Sequence, residues 1–284
     1  MRRWIVFATL IVLTTAIRAW DHPDNVLFQR LQQPGLRADD QGIPLPAPFF
    51  ADGLTLAQQR SILQNLPGRT QEVDELLRPS AVAPFIVKFT DLPVKNSQMP
   101  LRAIDLVFVT PGTLDKLAQS DVLDRLLNSG RTDATIQPLT QAPQGVAGRA
   151  AQEAQAHVAM PLMDKVQLEG TIHTMWTRTK DSLLLAGQLD PRYTSDSKFP
   201  NRWRLLKRDA EGKLLPQPTG TPYEAAAFYF KFTPLAGNPN ALLVEWHLVF
   251  AEPADWFDGA NLLRSKLPIV LQTKIRAFRR DLMR

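Results

Sequence analysis

Glu245 and His247 stand two residues apart in LLVEWHLVF (242–250), where an acid and an imidazole interrupt an otherwise apolar run. Residues i and i+2 of a strand share a face about 6.6 Å apart, close enough for two side chains to bind one ion or exchange a proton. No third ligand accompanies them. A second acid and imidazole, Glu169 and His173 of EGTIHTMW (169–176), share a face but sit about 13 Å apart, too far to hold one ion directly. If Thr179-Lys180 makes a two-residue turn, Glu169 faces Asp190, and two opposed carboxylates must be solvated or share a proton. That pair would be the acid/base dyad of a hydrolase. Against it, Asp190 precedes Pro191, where both charges can splay into water, and Thr-Lys is a poor hairpin turn. A third set appears if a leader is cut after Ala19. The chain then begins Trp20-Asp21-His22, and its amine, two amides and imidazole could form a square-planar Cu(II) or Ni(II) site.

Other chemistries lack their residues. There are no cysteines, hence no thiol nucleophile, thiolate metal site, disulfide or lipid attached through Cys. No phosphate-binding glycine loop, dinucleotide fingerprint, GxSxG elbow or HExxH occurs, and His157 reads as structural or solvated. The expectation is no catalytic residue, no metal and no cofactor. The question of enzymatic activity stays open and leans towards none.

The segment MRRWIVFATLIVLTTAIRAW has a basic start at Arg2 and Arg3 and an uncharged run from Trp4 to Ile17, shorter than the roughly 20 residues of a spanning helix. It reads as a signal peptide over 1–19, cut after Ala16 or Ala19, with a retained anchor as the alternative. The expected location is the periplasm or cell surface. Cleavage after Ala19 removes Arg2, Arg3 and Arg18 and lowers the formal charge from +5 to +2. Nucleic-acid binding, which needs a strong basic excess, loses its support.

The remaining chain must position these residues. Residues 20–53 are rich in Pro, Gly and Asp and read as an extended arm. TLAQQRSILQNL and TQEVDELL predict two short helices, the second capped by Thr70. Strands are expected at 84–89 and 101–109, then a helix over TLDKLAQSDVLDRLLNSG and a linker over 134–161 with a short helix around Ala147–Val158. Six strands follow at 164–178, 181–190, 202–208, 212–216, 223–233 and 241–251. From residue 261, Leu263, Leu267, Leu271, Ile275, Phe278 and Leu282 form the stripe of a long amphipathic helix, with Pro268 kinking it or marking its first turn. The segments group as an arm with short helices (20–83) and an antiparallel α+β domain (84–284). The domain is a curved antiparallel sheet of about six to eight strands on the C-terminal helix.

Matching apolar faces sets a register for the last two strands in which Phe232 opposes Leu242, Phe230 opposes Val244 and Phe228 opposes Trp246. Glu245 then opposes Tyr229 and His247 opposes Ala227, a ladder on the solvent side. The other face carries Trp176, Leu185, Trp203, Phe228, Phe230, Trp246 and Phe250, which either fill a core or line a pocket under the helix.

The element order over about 101–284 resembles the START-like, or helix-grip, superfamily, in which a curved antiparallel sheet wraps a C-terminal helix around an apolar cavity. The resemblance lies in the order of elements, with no shared motif, so no functional residue is carried over. It implies binding of a lipid or other apolar small molecule. A periplasmic or surface interaction module with a filled core is the alternative, and a hydrolase using Glu169 and Asp190 a further one. Arg264, Lys266, Lys274, Arg276, Arg279, Arg280 and Arg284 outnumber Asp258 and Asp281 in the tail, so its basic helix suits either water or an anionic membrane surface. The partners expected are an apolar ligand and a protein partner, with no nucleic acid.

Overall fold

The computed structural model describes residues 22–38, 41–92, 100–118, 134–139, 151–223, 225–253, 256–257 and 262–283. The leader, and most of the helix expected over 113–130, lie outside them. The arm is less extended than its composition suggests. Asn25 caps a helix α1 (Val26–Gln32), its side chain accepting the Phe28 N–H at 2.9 Å, and a small hairpin of β1 (Leu36–Ala38) and β2 (Gln41–Ile43) follows. Helix α2 (Leu56–Asn65) opens with a capping box between Thr55 and Gln58. In α3 (Val73–Leu76) the N-cap is Glu72 rather than Thr70, and its side chain makes no capping bond.

Alternating apolar residues then build one antiparallel sheet of eleven strands. They are β3 (Phe85–Leu92), β4 (Leu101–Pro111), β5 (Thr135–Pro138), β6 (Ala151–Leu162), β7 (Val166–Arg178), β8 (Leu183–Leu189), β9 (Arg202–Arg208), β10 (Leu214–Pro216), β11 (Thr221–Pro222), β12 (Ala226–Leu235) and β13 (Asn238–Ala251). A short helix, α4 (Leu114–Leu117), follows β4 and is capped by Thr113. The main order is β10-β9-β7-β8-β12-β13-β4-β3, with β6 on the free edge of β7, β5 beyond it, and β11 on β9. Strand β7 is long enough to pair with β9 over Val166–Glu169 and with β8 over Ile172–Arg178. Buried Asn201 bridges the change of partner, accepting the Thr171 N–H at 2.8 Å and donating to the Asp190 carbonyl at 2.7 Å.

The expected linker 134–161 is therefore corrected. Its described parts are β5 and β6, and no helix covers 151–158. AQEAQAHVAMPL is rich in Ala, which has low strand propensity, yet β6 pairs with β7 over its whole length. The β12–β13 register is also corrected. Phe232 opposes Val244, Phe230 opposes Trp246 and Phe228 opposes Leu248, two residues from the expected pairing. Only Ala236-Gly237 forms the turn, Gly237 taking φ +85°, and the ladder shifts at Pro234/Leu235.

The C-terminal helix α5 (Leu262–Met283) lies on β3 and β4, and Pro268 sits inside it. Leu271, Ile275, Phe278 and Leu282 face Leu106, Phe108, Val244 and Phe232. Arg279 anchors its C-terminal half. The guanidinium is buried, donates to the carbonyls of Val109 at 2.7 Å, Pro84 at 3.1 Å and Ala83, and lies over the Phe108 ring. Burial without an acidic partner, with Arg276 nearby, lowers its pKa to about 10.

Candidate functional site

The sheet has two faces with opposite chemistry. Under α5, β12 presents Phe228, Phe230 and Phe232, with β8 beside it giving Leu183 and Leu185, and β7 giving Trp176. Phe230 stacks on Trp246 at 5.5 Å and 10° and on Phe232 at 6.2 Å and 11°, while Phe228 meets it edge-on at 6.0 Å. Gly187 makes room for this row, since a Cβ there would stand 2.5 Å from the Phe228 ring. Trp176 and Leu185 are buried, whereas Phe228, Phe230 and Trp246 are half-buried. The Trp246 indole N–H is nonetheless buried and has no hydrogen-bond partner among the described residues.

Five of the seven expected ligand residues (Trp176, Leu185, Phe228, Phe230 and Trp246) thus share one cluster with α5. The other two lie apart. Trp203 packs edge-on against Trp256 at 6.4 Å. Phe250 lies under the N-terminal end of α5, where it lines, with Phe89, Leu263 and Leu267, a cavity of about 10 Å³. That is room for one water. Around Phe250 the contact between sheet and helix is closed.

The opposite face lies under the N-terminal arm and corrects the surface reading of Glu245 and His247. Both are fully buried. His247 Nδ1 is 2.7 Å from Asp105 Oδ1 and Nε2 is 3.3 Å from Glu245 Oε2, while Tyr229 stacks on the ring at 4.7 Å and Phe49 tilts against it at 4.9 Å. Burial opposes charge on the imidazole, but the bonds to Asp105 and Glu245 outweigh it, and the pKa lies above the ordinary histidine value. Glu245 also accepts the Phe49 and Phe50 N–H groups at 2.7 and 3.3 Å. Buried Lys231 donates to the Phe50 carbonyl at 2.7 Å and pairs with Asp52 at 3.0 Å. The Tyr229 hydroxyl donates to the Pro46 carbonyl at 2.9 Å. These groups clasp residues 46–52 to the sheet. Buried or half-buried, they hold the arm.

His22 joins the same belt. Its Nε2 is 2.8 Å from Ser182 Oγ and its Nδ1 2.9 Å from Thr177 Oγ1. A square-planar site on Trp20-Asp21-His22 would need a free ring nitrogen, and both are engaged. Trp20 and Asp21 lie outside the described residues. Among the described residues no three acidic or histidine side chains gather as a metal site.

Glu169 and Asp190 are both buried but do not meet. Glu169 is held by Arg202 at 2.7 Å and by Arg204, and its cross-strand partners are Ala159 and Arg202. Asp190 pairs with Arg192 at 2.6 Å, which holds its carboxyl below the usual carboxylate range, and accepts from Gln155 at 3.1 Å. The turn after β7 is longer than two residues, so Ile172 opposes Leu189 and the expected register fails. His173 lies 3.8 Å from Glu153, and half-buried His157 is 3.2 Å from the Thr171 hydroxyl.

Sequence reasoning missed Asp105, Lys231 and Asp52. Asp105 and Lys231 each stand alone among apolar residues in their strands, which is the pattern of a buried paired charge as much as of an exposed one.

No family model matches the chain, and no curated protein matches it. Among solved structures it is similar to human STARD10, at 9% identity and a TM-score of 0.35, over 67% of this chain and 72% of that one. It is also similar to the human StarD13 (DLC2) lipid transfer and protein localization domain, at 7% identity and a TM-score of 0.36, over 69% and 89%. Likeness this distant carries no argument about activity. The helix-grip arrangement, a curved antiparallel sheet with a long C-terminal helix on one face, stands on the strand order and on α5 itself.

Proposed function

We propose that the protein is an exported, non-enzymatic carrier that binds a lipid or other apolar small molecule between the sheet and α5. The observation that carries this reading is the row Phe228, Phe230 and Trp246. These are large aromatic side chains left half-buried on the very face that α5 covers. A core built only for stability would close over such rings. Trp176 and Leu185 form the floor and Phe250 the end under Leu263, while Trp203 lies apart against Trp256. The cavity beside Phe250 has room for one water, so a ligand reaches that end of the face only when α5 lifts. The N-terminal half of the helix is the part free to do so. Pro268 removes a helix bond there, and Arg264 is tied to exposed Asp91, whereas Arg279 fixes the other half. Exposed Ile269 and Val270 beside Lys266 suit contact with an anionic membrane surface during exchange. The basic, apolar leader pattern supports export.

The water-sized cavity beside Phe250 favours a second reading, an interaction module with a filled core whose arm or basic helix docks a protein partner. Native and denatured masses of the exported protein separate the two. The carrier shows a discrete extra mass under native conditions alone, and takes up lipid when the stripped protein is incubated with liposomes. A native mass equal to the denatured one, before and after that incubation, favours the module. The denatured mass also reports whether residues 1–19 are removed.

A further inference from the structure

Trp246 is the one member of the aromatic row with a polar atom. Its ring lies on the sheet face under α5, flanked across the strands by Phe230 on β12 and Leu106 on β4, with Leu267 of α5 packed on the same clusters. The indole N–H is a donor and nothing else, and here it is buried with no acceptor. Such a group loses its water and gains nothing in exchange, so it disfavours the closed state. Phenylalanine would cover the same surface without that loss. The small water-sized cavity under α5 is lined by Phe250 and Leu267, and Trp246 does not border it. Trp203 and Trp256 also bury unpartnered N–H groups, but they pack on each other and on Tyr223, apart from the Phe230 row.

Resting on the carrier reading above, we infer that the ligand bears a neutral oxygen acceptor (a ketone, ester or ether oxygen) that takes the Trp246 Nε1–H when the ligand lies along Phe228 and Phe230. A bare hydrocarbon would leave the donor unpaired. A carboxylate or ammonium group would fare worse at this position, because the cross-strand neighbours of Trp246 are apolar and offer no counter-charge. The charged groups nearest this end, Arg102, Glu252, Asp91 and Arg264, are already paired with one another at the rim. The protein therefore selects amphipathic molecules whose polar atom is buried along with their chain, over free acids and alkanes.

The test uses the full mature chain, ¹⁵N-labelled at tryptophan, with 2-dodecanone and dodecane as probes. Binding is measured by partition, and the indole N–H resonances by NMR. Trp246→Phe assigns the Trp246 resonance. The ketone is expected to bind about three- to tenfold more tightly than the alkane, the range of one neutral hydrogen bond, and to move the Trp246 indole proton downfield. Trp246→Phe should abolish that preference. Equal binding of both probes, or ketone binding with no indole resonance moved, overturns the inference and leaves the carrier reading standing. Binding of neither probe sinks both. The wild-type comparison does not depend on the variant folding.

Discussion

The two faces of one sheet treat polar groups in opposite ways. Under the arm, Asp105, His247, Glu245, Lys231 and Asp52 are buried or half-buried, and each is ion-paired. Under α5 the residues are aromatic and aliphatic, three large rings stay half-buried, and the Trp246 donor has no acceptor. The difference teaches which face is finished. A buried charged network whose members satisfy one another specifies a single geometry and serves to hold the arm. An apolar face with open rings and an unpaired donor has contacts still to make.

The largest expected effect comes from breaking the finished face. Glu245→Ala removes the acceptor of two arm N–H groups and one partner of His247, and should cost about 3–5 kcal/mol in denaturant unfolding, as losing one partner of a buried pair does. It should leave ligand selectivity unchanged in whatever protein remains folded. On the unfinished face Phe230→Ala should cost less stability, about 1–3 kcal/mol, below the range for a fully buried phenylalanine, while abolishing ligand retention. If the two variants exchange these outcomes, the division between the faces is wrong.

The histidine gives the comparison a pH axis. Folded His247 holds its proton more tightly than unfolded histidine does, so the protonated network adds stability that is fully present below about pH 6.5. That contribution disappears as the pH rises through the elevated folded pKa. Urea midpoints should therefore fall as the pH rises above about 6.5, and His247→Gln should flatten the slope. A midpoint that rises with pH in this window contradicts the pairing. The smallest effect belongs to the rim. Arg264→Ala breaks an exposed pair with Asp91 and should cost under about 1 kcal/mol, yet speed ligand exchange by loosening the N-terminal end of α5.

Much of this was legible in the sequence. Strand alternation placed Phe228, Phe230 and Trp246 on one face, and the stripe from Leu263 to Leu282 marked the helix that covers them. Face assignment survived a register error of two residues because side chains alternate with period two. Polarity did not survive. Glu245 and His247 read as solvent-side because nothing in the local sequence reveals that residues 46–52, nearly two hundred positions earlier, fold over them. Strand β6 was hidden for the same reason, since Ala and Gln became a strand only through pairing with β7. Asn25, by contrast, was a readable N-cap inside a segment whose prolines drew attention away from it.

The central claim is that ligand lies on the α5 face of the sheet and nowhere on the arm face. Photo-crosslinking tests it most directly, with p-benzoylphenylalanine placed either at Phe230 or at Phe49, which lies half-buried on the arm side against His247. After export and irradiation, a lipid-sized adduct is expected on the protein labelled at 230 and an unmodified mass for the protein labelled at 49. An adduct at 49 with none at 230, or no adduct at either position in protein loaded from liposomes, would contradict it.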